Sequence, residues 1–264
     1  MTRRSLLLTS IAITAQPSPF PWPNNRKAAL SLSFDDARHS QVDTGIPFLN
    51  KIQVKATFYV LSSNYTKRLE AWKAAHAAGH EIAHHTKTHP CTGNYAFAKN
   101  KALEDYTLTK MAEDLDTATD EIVTTFGVKP TSFAYPCGQK FVGRGANTQS
   151  YVPLIAKRFL TGRGYLDEAA NDPAICDLSA LMGTGLDNLT FPQMKALLDA
   201  ALKDGRWLIF AGHEMGTIGR QTTNLEALAE LIAYAKTNNV WLDTVANIGQ
   251  FVHNNRKSTA PAAQ

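Results

Sequence analysis

The chain has 264 residues, of which 44% are hydrophobic, and its 27 basic and 23 acidic residues leave a formal net charge of +4. This length suits one large α/β domain or two small ones. The charge is nearly balanced, and no basic segment is interleaved with aromatic residues, so the composition predicts no nucleic-acid partner.

The N-terminus has the pattern of an export signal. Residues 1–16 combine Arg3 and Arg4 with a short apolar stretch and a small residue before a Pro-rich segment, which is typical of a signal peptide. The paired arginines resemble a twin-arginine signal. We therefore expect a secreted or periplasmic protein, with an unprocessed cytoplasmic start as the alternative. The apolar stretch is too short to span a bilayer and no other segment qualifies, so the chain is predicted not to be transmembrane.

Short apolar segments alternate with amphipathic segments along the rest of the chain. The predicted strands are 28–34, 55–60, 81–84, 131–135, 159–164, 207–210 and 240–244. The predicted helices are 40–51, 67–78, 105–126, 151–158, 191–203 and 224–236. This alternation predicts the α/β class, with a parallel sheet of about seven strands and helices outside it. We expect a single barrel domain over 17–255, an irregular stretch at 166–189 and a disordered tail at 256–264.

The densest cluster of potential metal ligands contains four histidines within ten residues, at 80–89. His85 and His89 are four residues apart, and one turn of helix would point both imidazoles the same way. Two nitrogen ligands at this spacing suit a divalent metal. A third ligand could come from Asp35 or Asp36, which follow the first predicted strand. Taken singly, each motif has an alternative: a surface histidine pair, or carboxylates that cap a turn.

The other chemistry-bearing residues also lie at predicted strand ends. In a parallel β/α barrel the functional groups sit at the carboxyl ends of the strands. We therefore expect one face of the barrel to collect the carboxylate pair, the histidine turn, Pro136–Gly138, Arg163 and His213.

Between Phe34 and His213 the chain resembles the NodB-homology polysaccharide deacetylases. Residues 34–37, Phe-Asp-Asp-Ala, are similar to the first motif of that family, which usually has Gly after the two acids. Residues 85–89 match the second motif at every defining position, 135–138 are similar to the third, and 208–213 resemble the last. The resemblance implies a single distorted (β/α) barrel of NodB type and a metal-dependent deacetylase.

The resemblance also implies roles for the residues of these motifs. Asp36, His85 and His89 would bind a divalent metal, with Zn²⁺ expected ahead of other divalent ions. Asp35 would be the general base that takes a proton from water, and His213 would be the general acid.

The third motif would form the oxyanion and substrate-binding loop. The backbone N–H of Cys137 would help to hold the tetrahedral oxyanion, with Tyr135, Pro136 and Gly138 beside it. The following loop, 141–147, could line a sugar groove.

Two departures from the family pattern affect the catalytic groups. The third motif normally begins with Arg, which pairs with the catalytic base, and here that position is Ala134. Arg163 is the candidate replacement, and a structural arginine is the alternative. The acid that normally supports the catalytic histidine has no clear equivalent, since Asp167, Asp172 and Asp177 are nearby and none fits well.

The chain has three cysteines. An odd number gives no disulfide framework, and three small buried thiols are the preferred interpretation. If the protein is exported, Cys91 and Cys137 could be oxidised to a disulfide.

The predicted function is removal of acetyl groups from N- or O-acetylated sugars of a poly- or oligosaccharide. The sequence does not choose the sugar or predict an oligomeric state. One alternative is a related amidohydrolase that acts on a small cyclic amide or ureide. The other is a catalytically impaired carbohydrate-binding barrel, which the loss of Arg at Ala134 would support.

Overall fold

Strands and helices alternate through residues 20–259, the part of the chain that the computed structural model describes. The predicted signal peptide at 1–16 lies outside these residues. The strands are β1 (Ala28–Asp35), β2 (Thr57–Val60), β3 (Glu81–His84), β4 (Ser132–Ala134), β5 (Phe141–Val142), β6 (Gln149–Ser150), β7 (Thr161–Arg163), β8 (Thr184–Gly185), β9 (Trp207–Gly212), β10 (Glu214–Gly216), β11 (Thr222–Asn224) and β12 (Val240–Leu242). The α-helices are α1 (Ile46–Lys51), α2 (Ser62–Tyr65), α3 (Leu69–Ala77), α4 (Leu108–Phe126), α5 (Val152–Arg158), α6 (Phe191–Asp204), α7 (Leu225–Thr237) and α8 (Val245–Thr259).

One parallel sheet forms the centre of the fold. Its strand order is β7-β4-β3-β2-β1-β9-β8, and β12 pairs with the first half of β1. Leu181 bridges to Arg163 at the end of β7, while β8 pairs with β9. The segment 181–185 therefore joins the two edges of the sheet. This arrangement confirms the predicted distorted (β/α) barrel, and all seven predicted strands belong to it.

β8 is a strand of this sheet that the sequence pattern missed, and the short pairs β5–β6 and β10–β11 outside the sheet were not predicted either. β8 lies inside 166–189, which we expected to be irregular, and it has only two residues, Thr184 and Gly185. A strand this short cannot show a period of two, so only its pairing with β9 identifies it.

The helix ends follow local sequence signals. Thr107 accepts a hydrogen bond from the backbone N–H of Lys110 and begins α4, which ends at Gly127 in the left-handed conformation. Thr190 begins α6 with a capping box, and Gly205 ends it in the same left-handed conformation. These caps satisfy backbone groups that the helix itself leaves unpaired.

The main core lies between the sheet and its surrounding helices. Leu30, Leu32 and Phe34 of β1 pack outward against this layer, with α1, α3, α6 and α7 supplying its other side. Since successive side chains of a strand point to opposite faces, Ser31 and Ser33 face the inside of the barrel, where both are fully buried. Alternation along β1 thus directs its last residue, Asp35, into the barrel opening.

Helix α8 closes the other end of the barrel. Its residues Val245, Ile248 and Val252 form one buried cluster with Trp207 and Ala29. Helix α8 continues through Thr259, four residues into the segment 256–264 that we expect to be disordered. None of the helices within residues 20–259 has both the length and the apolar character to cross a bilayer.

Replacing Phe58 with Ala tests the contribution of the main core to stability. Phe58 is fully buried between Phe34 and Trp72, with ring centroids 5.6 and 5.4 Å away. We expect the Phe58→Ala variant to lose about 3–5 kcal/mol of unfolding free energy in chemical denaturation. Phe141→Ala, which removes a 57% exposed ring, should change it by less than about 0.5 kcal/mol. Equal losses would contradict the assignment of the core.

Candidate active site

Polar side chains from several strand ends line a cleft of about 410 Å³ at the carboxyl face of the barrel. Asp35 ends β1, His85 follows β3, and His213 follows β9. This is the face where β/α barrels carry their functional groups. The residues lining the cleft are Asp35, Asp36, Arg38, Leu61, Asn64, His85, His89, Tyr95, Phe97, Lys101, Cys137, Tyr165, Leu166, His213, Arg220 and Gln221.

Asp36, His85 and His89 converge on one point of this cleft. Asp36 Oδ1 lies 3.6 Å from His85 Nε2 and 3.4 Å from His89 Nε2, and the three ligand atoms all lie within 4.8 Å of one another. Asp36 Oδ1 is buried and makes no hydrogen bond within the described residues. Two imidazole nitrogens and an unpaired carboxylate oxygen fit a divalent ion, and three protein ligands leave coordination positions open.

The two histidines are brought together by a turn that is not helical. The expected helical turn over 85–89 is wrong, because Thr86 and His89 have φ values of 66° and 53°. Thr86 Oγ1 accepts a hydrogen bond from the backbone N–H of His89 at 2.9 Å, which holds the turn closed. His85 Nδ1 is hydrogen-bonded to the carbonyl of Ala134 at 2.9 Å, which leaves Nε2 for the cleft.

Buried groups behind this turn hold it in place. Asp114 of α4 accepts a hydrogen bond from Thr88 Oγ1 at 2.5 Å. His84 Nδ1 accepts one from the backbone N–H of Thr86, and His84 Nε2 is bonded to the carbonyl of Leu115. Burial lowers the pKa of His84 to about 3, so this ring is neutral. His84 therefore supports the turn and does not line the cleft.

The electrostatics of the cluster favour metal-binding protonation states. Burial opposes ionisation of Asp36, but the neighbouring charges of His85, His89 and Arg38 lower its pKa to about 2. Burial and the charge of His85 lower the pKa of His89 to about 4. Arg38, which sequence reasoning did not single out, donates two hydrogen bonds to Asp36 Oδ2 at 3.1 and 2.8 Å. Asp36 Oδ1 is thereby left for a ligand.

Asp35 contacts a different cation. Arg163 is fully buried, and its Nη2 donates directly to Asp35 Oδ1. Its Nη1 donates to the carbonyl of Gly164 at 2.7 Å, and its guanidinium lies 4.7 Å from the centroid of the Tyr59 ring. Ala134 pairs with Arg163 across β4 and β7. The cation absent at position 134 is therefore supplied by the paired residue of the next strand.

His213 is held by Asp187, which sequence reasoning missed. Asp187 Oδ2 lies 2.6 Å from His213 Nδ1, and Asp187 Oδ1 accepts from the backbone N–H of His213 at 2.9 Å. The three acids that the sequence offered for this role make other hydrogen bonds. Asp167 accepts from a backbone N–H of Gly183, while Asp172 and Asp177 each accept a backbone N–H two residues further on.

The sequence gave no usable signal for Asp187. It stands two residues after β8, where functional groups of such barrels are expected, but β8 is too short to be recognised from the sequence. Burial would lower the pKa of His213, but the hydrogen bond to Asp187 and the charges of Asp35 and Asp36 raise it above its ordinary value. Because Nδ1 is bonded to Asp187, His213 Nε2 remains available to a group bound in the cleft.

Only one residue of the predicted oxyanion loop lines the cleft. Cys137 does so, with a φ of 54°. The side chain of Tyr135 is fully buried, and its hydroxyl donates to the carbonyl of Ser179 at 2.6 Å, so the structure does not bring this side chain to the cleft. Pro136 is buried as well, and Gly138 lines a neighbouring groove beside the cleft.

Cys137 forms a disulfide with Cys91. The preferred interpretation of three buried thiols is wrong for this pair, and Cys176 alone is free among the described cysteines. The bond joins the segment after His89 to the cleft residue at 137. The disulfide thus ties a candidate metal ligand to the candidate oxyanion loop.

Fold and site together define an α/β-barrel protein with a candidate Asp-His-His metal centre. Residues 23–150 match the family model described as polysaccharide deacetylase. Chitin deacetylase 1 from Cryptococcus neoformans is 30% identical over 148 residues, which cover 55% of this chain and 29% of that protein. The chain spans about a third of the length of the curated relatives that it matches.

Solved structures share the whole fold. A candidate polysaccharide deacetylase from Mycobacterium smegmatis superposes with a TM-score of 0.65 at 15% identity, covering 94% of this chain and 96% of that one. A family 4 acetyl xylan esterase from Clostridium thermocellum gives a TM-score of 0.55 at 17% identity, covering 84% and 91%. Residues 23–150 of the chain are therefore similar to polysaccharide deacetylases in sequence, and the solved structures show that the chain shares their fold.

The disulfide gives a stability prediction. We expect the Cys91→Ala/Cys137→Ala double variant to lose about 2–4 kcal/mol of unfolding free energy under oxidising conditions, because the cross-link restricts the unfolded chain. Denaturation with and without a thiol reductant measures this loss, and the Cys176→Ala variant is the control. A wild-type protein whose stability does not respond to the reductant would show that the bond does not form.

Proposed function

We propose that this protein is a metal-dependent hydrolase that removes acetyl groups from N- or O-acetylated sugars of a poly- or oligosaccharide. The observation that carries the proposal is the convergence of Asp36, His85 and His89 beside a second acid, Asp35, which is held by a different cation. The names of the similar proteins include a chitin deacetylase and an acetyl xylan esterase, so the proposal covers both amide and ester substrates.

Asp36, His85 and His89 would hold the ion, with Zn²⁺ expected first. The Clostridium thermocellum esterase was solved in complex with cobalt, which supports a site that accepts more than one divalent ion. Such an ion, when bound, lowers the pKa of water and polarises a carbonyl group.

Asp35 is placed to act as the general base. It ends β1 next to the ligand Asp36 and is almost fully buried. Arg163 occupies one of its oxygens and so orients the carboxylate. Asp35 would take a proton from water as the oxygen of that water adds to the acetyl carbon.

Cys137 and His213 would serve the two remaining steps. The carbonyl oxygen gains negative charge during the addition, and the backbone N–H of Cys137, on the wall of the cleft, would stabilise it. His213 would then give its proton to the leaving nitrogen or oxygen as the C–N or C–O bond breaks. Its raised pKa keeps this proton in place for that step.

The rival functions are less well supported by the geometry. The impaired carbohydrate-binding barrel drew its support from Ala134, but Arg163 supplies a cation to Asp35 in its place. An amidohydrolase for a small cyclic amide would release no acetate from acetylated glycans, and this difference distinguishes it from the proposed deacetylase.

We also infer that the protein works outside the cytoplasm. The twin-arginine-like N-terminus and the Cys91–Cys137 disulfide support this, because disulfides persist in oxidising compartments.

Acetate release with matched variants tests the proposed roles. We expect acetate from acetylated chito- or xylo-oligosaccharides, lost with a chelator and restored by Zn²⁺. Asp35→Asn should lower kcat by about 10²-fold or more while metal content stays near normal, and His85→Ala should lose both. Asp120→Asn on the surface of α4 is the control. Equal metal loss in Asp35→Asn and His85→Ala would show that Asp35 is the metal ligand and that the roles assigned to Asp35 and Asp36 must be exchanged.

The pH profile tests the pairing of His213 with Asp187. Because His213 must be protonated to act as an acid, activity should fall as pH rises through its pKa. Removing the carboxylate in Asp187→Asn lowers that pKa, so the alkaline limb of kcat/KM should move about one unit or more to lower pH. Asp177→Asn, which alters a turn away from His213, should leave the limb in place. An unmoved limb in Asp187→Asn would assign the acid to another group.

A further inference from the structure

The mouth of the cleft carries aromatic and basic side chains that the proposed reaction does not use. Tyr95, Phe97 and Lys101 come from one segment after the histidine turn, and Arg220 comes from the loop after β10. All four line the same cleft as the candidate metal ligands.

Tyr95 and Phe97 form an exposed aromatic ledge. Their rings are nearly parallel, with centroids 5.4 Å apart and an interplanar angle of 13°, and the residues are 47% and 60% exposed. The Phe97 ring lies 6.1 Å from that of the candidate ligand His89. Large aromatic groups exposed beside a functional cleft mark a binding surface. The ledge is therefore placed to pack against a sugar adjoining the one that reacts.

Four cations lie in or next to the cleft, and two of them are ion-paired with its carboxylates while two are not. Arg163 is ion-paired with Asp35, and Arg38 is ion-paired with Asp36. Lys101 is half-buried, and its ammonium donates to the backbone carbonyl of Thr88. The guanidinium of Arg220 makes no hydrogen bond to any residue of the described chain, and neither Lys101 nor Arg220 forms an ion pair there.

A half-buried cation such as Lys101 favours an anionic ligand, and the exposed Arg220 adds a second positive charge at the mouth of the cleft. The lining contains two acids, Asp35 and Asp36, and each is ion-paired with an arginine. The charges of Asp114 and Asp36 act on Lys101, but neither carboxylate forms an ion pair with Lys101 or Arg220 within the described residues. A divalent ion at Asp36 would make the cleft more positive still. A carboxylate on the substrate would form charge-assisted hydrogen bonds with these donors.

Building on the proposed deacetylase function, we propose that the substrate is an acidic glycan in which a uronate neighbours the acetylated sugar. The uronate ring packs on the ledge of Tyr95 and Phe97. Its carboxylate pairs with Lys101 from the same segment, and Arg220 from the loop after β10 attracts the polyanion. A glycan of this class presents both an apolar ring face and a negative charge, which are the two features that the mouth of the cleft matches.

The test compares two oligosaccharides that differ only in charge. One contains uronates, the other is its carboxyl-reduced counterpart, and both are acetylated to the same extent. We expect kcat/KM to be about 10-fold or more higher for the acidic substrate, through a lower KM, and the preference should shrink as ionic strength rises. Equal kcat/KM for the two substrates would overturn the acidic-glycan proposal while leaving the deacetylase function standing.

Variants assign the preference to particular side chains. Lys101→Met and Arg220→Gln should each reduce the ratio of kcat/KM between the two substrates, whereas Lys203→Met, at an exposed position on α6, should keep the wild-type ratio. Phe97→Ala should raise KM for both substrates. Metal content is measured for every variant to exclude loss of the ion. A ratio unchanged in both Lys101→Met and Arg220→Gln would overturn their role. Absence of acetate from both substrates with the metal-loaded wild type would refute the deacetylase function itself.

Discussion

The structure depends on separating two consecutive carboxylates. Asp35 and Asp36 are adjacent in the chain, yet Asp35 contacts buried Arg163 while Asp36 faces Arg38 and the two histidines. Two like charges this close would repel unless each had its own cation. The separation comes from the backbone, because Asp36 has a φ of 74°, which turns its side chain away from that of Asp35. Every proposed role of the site follows from this division.

Left-handed backbone at the cleft extends beyond Asp36. Such conformations are uncommon for residues with a side chain and persist where the surroundings over-determine them. Local bonds supply that support: Asn64 donates to the carbonyl of Asp36, Thr86 Oγ1 holds the N–H of His89, and a disulfide holds Cys137. The cleft residues with a positive φ are Asp36, His89, Cys137, Leu166 and Gln221. The geometry of the site is therefore built mostly by turns, while the barrel holds those turns in place.

The position of Arg163 shows that a charge expected from one sequence motif can be supplied by a residue of the neighbouring strand. Ala134 breaks the third motif, but it pairs in register with Arg163 on the neighbouring strand, and paired residues of a parallel sheet project to the same side. Ala134 packs with Tyr59 and Ala83, and its small side chain leaves room for the guanidinium over the Tyr59 ring. The charge required beside Asp35 is thus preserved although its position in the chain has changed.

The alternation of apolar and amphipathic segments determined the barrel and its seven principal strands, because periodicity is a local property of a sequence. The spacing of His85 and His89 indicated two metal ligands, and the family resemblance added Asp36 as the third. Tertiary structure alone decided three features of the site: the non-helical turn that joins His85 to His89, the pairing of His213 with Asp187, and the Cys91–Cys137 bond. Each of these features depends on a contact between residues that are distant in the sequence, or on a backbone angle that the adjacent residues do not determine. Likewise, β8 is too short to show a pattern and exists only because β9 lies beside it.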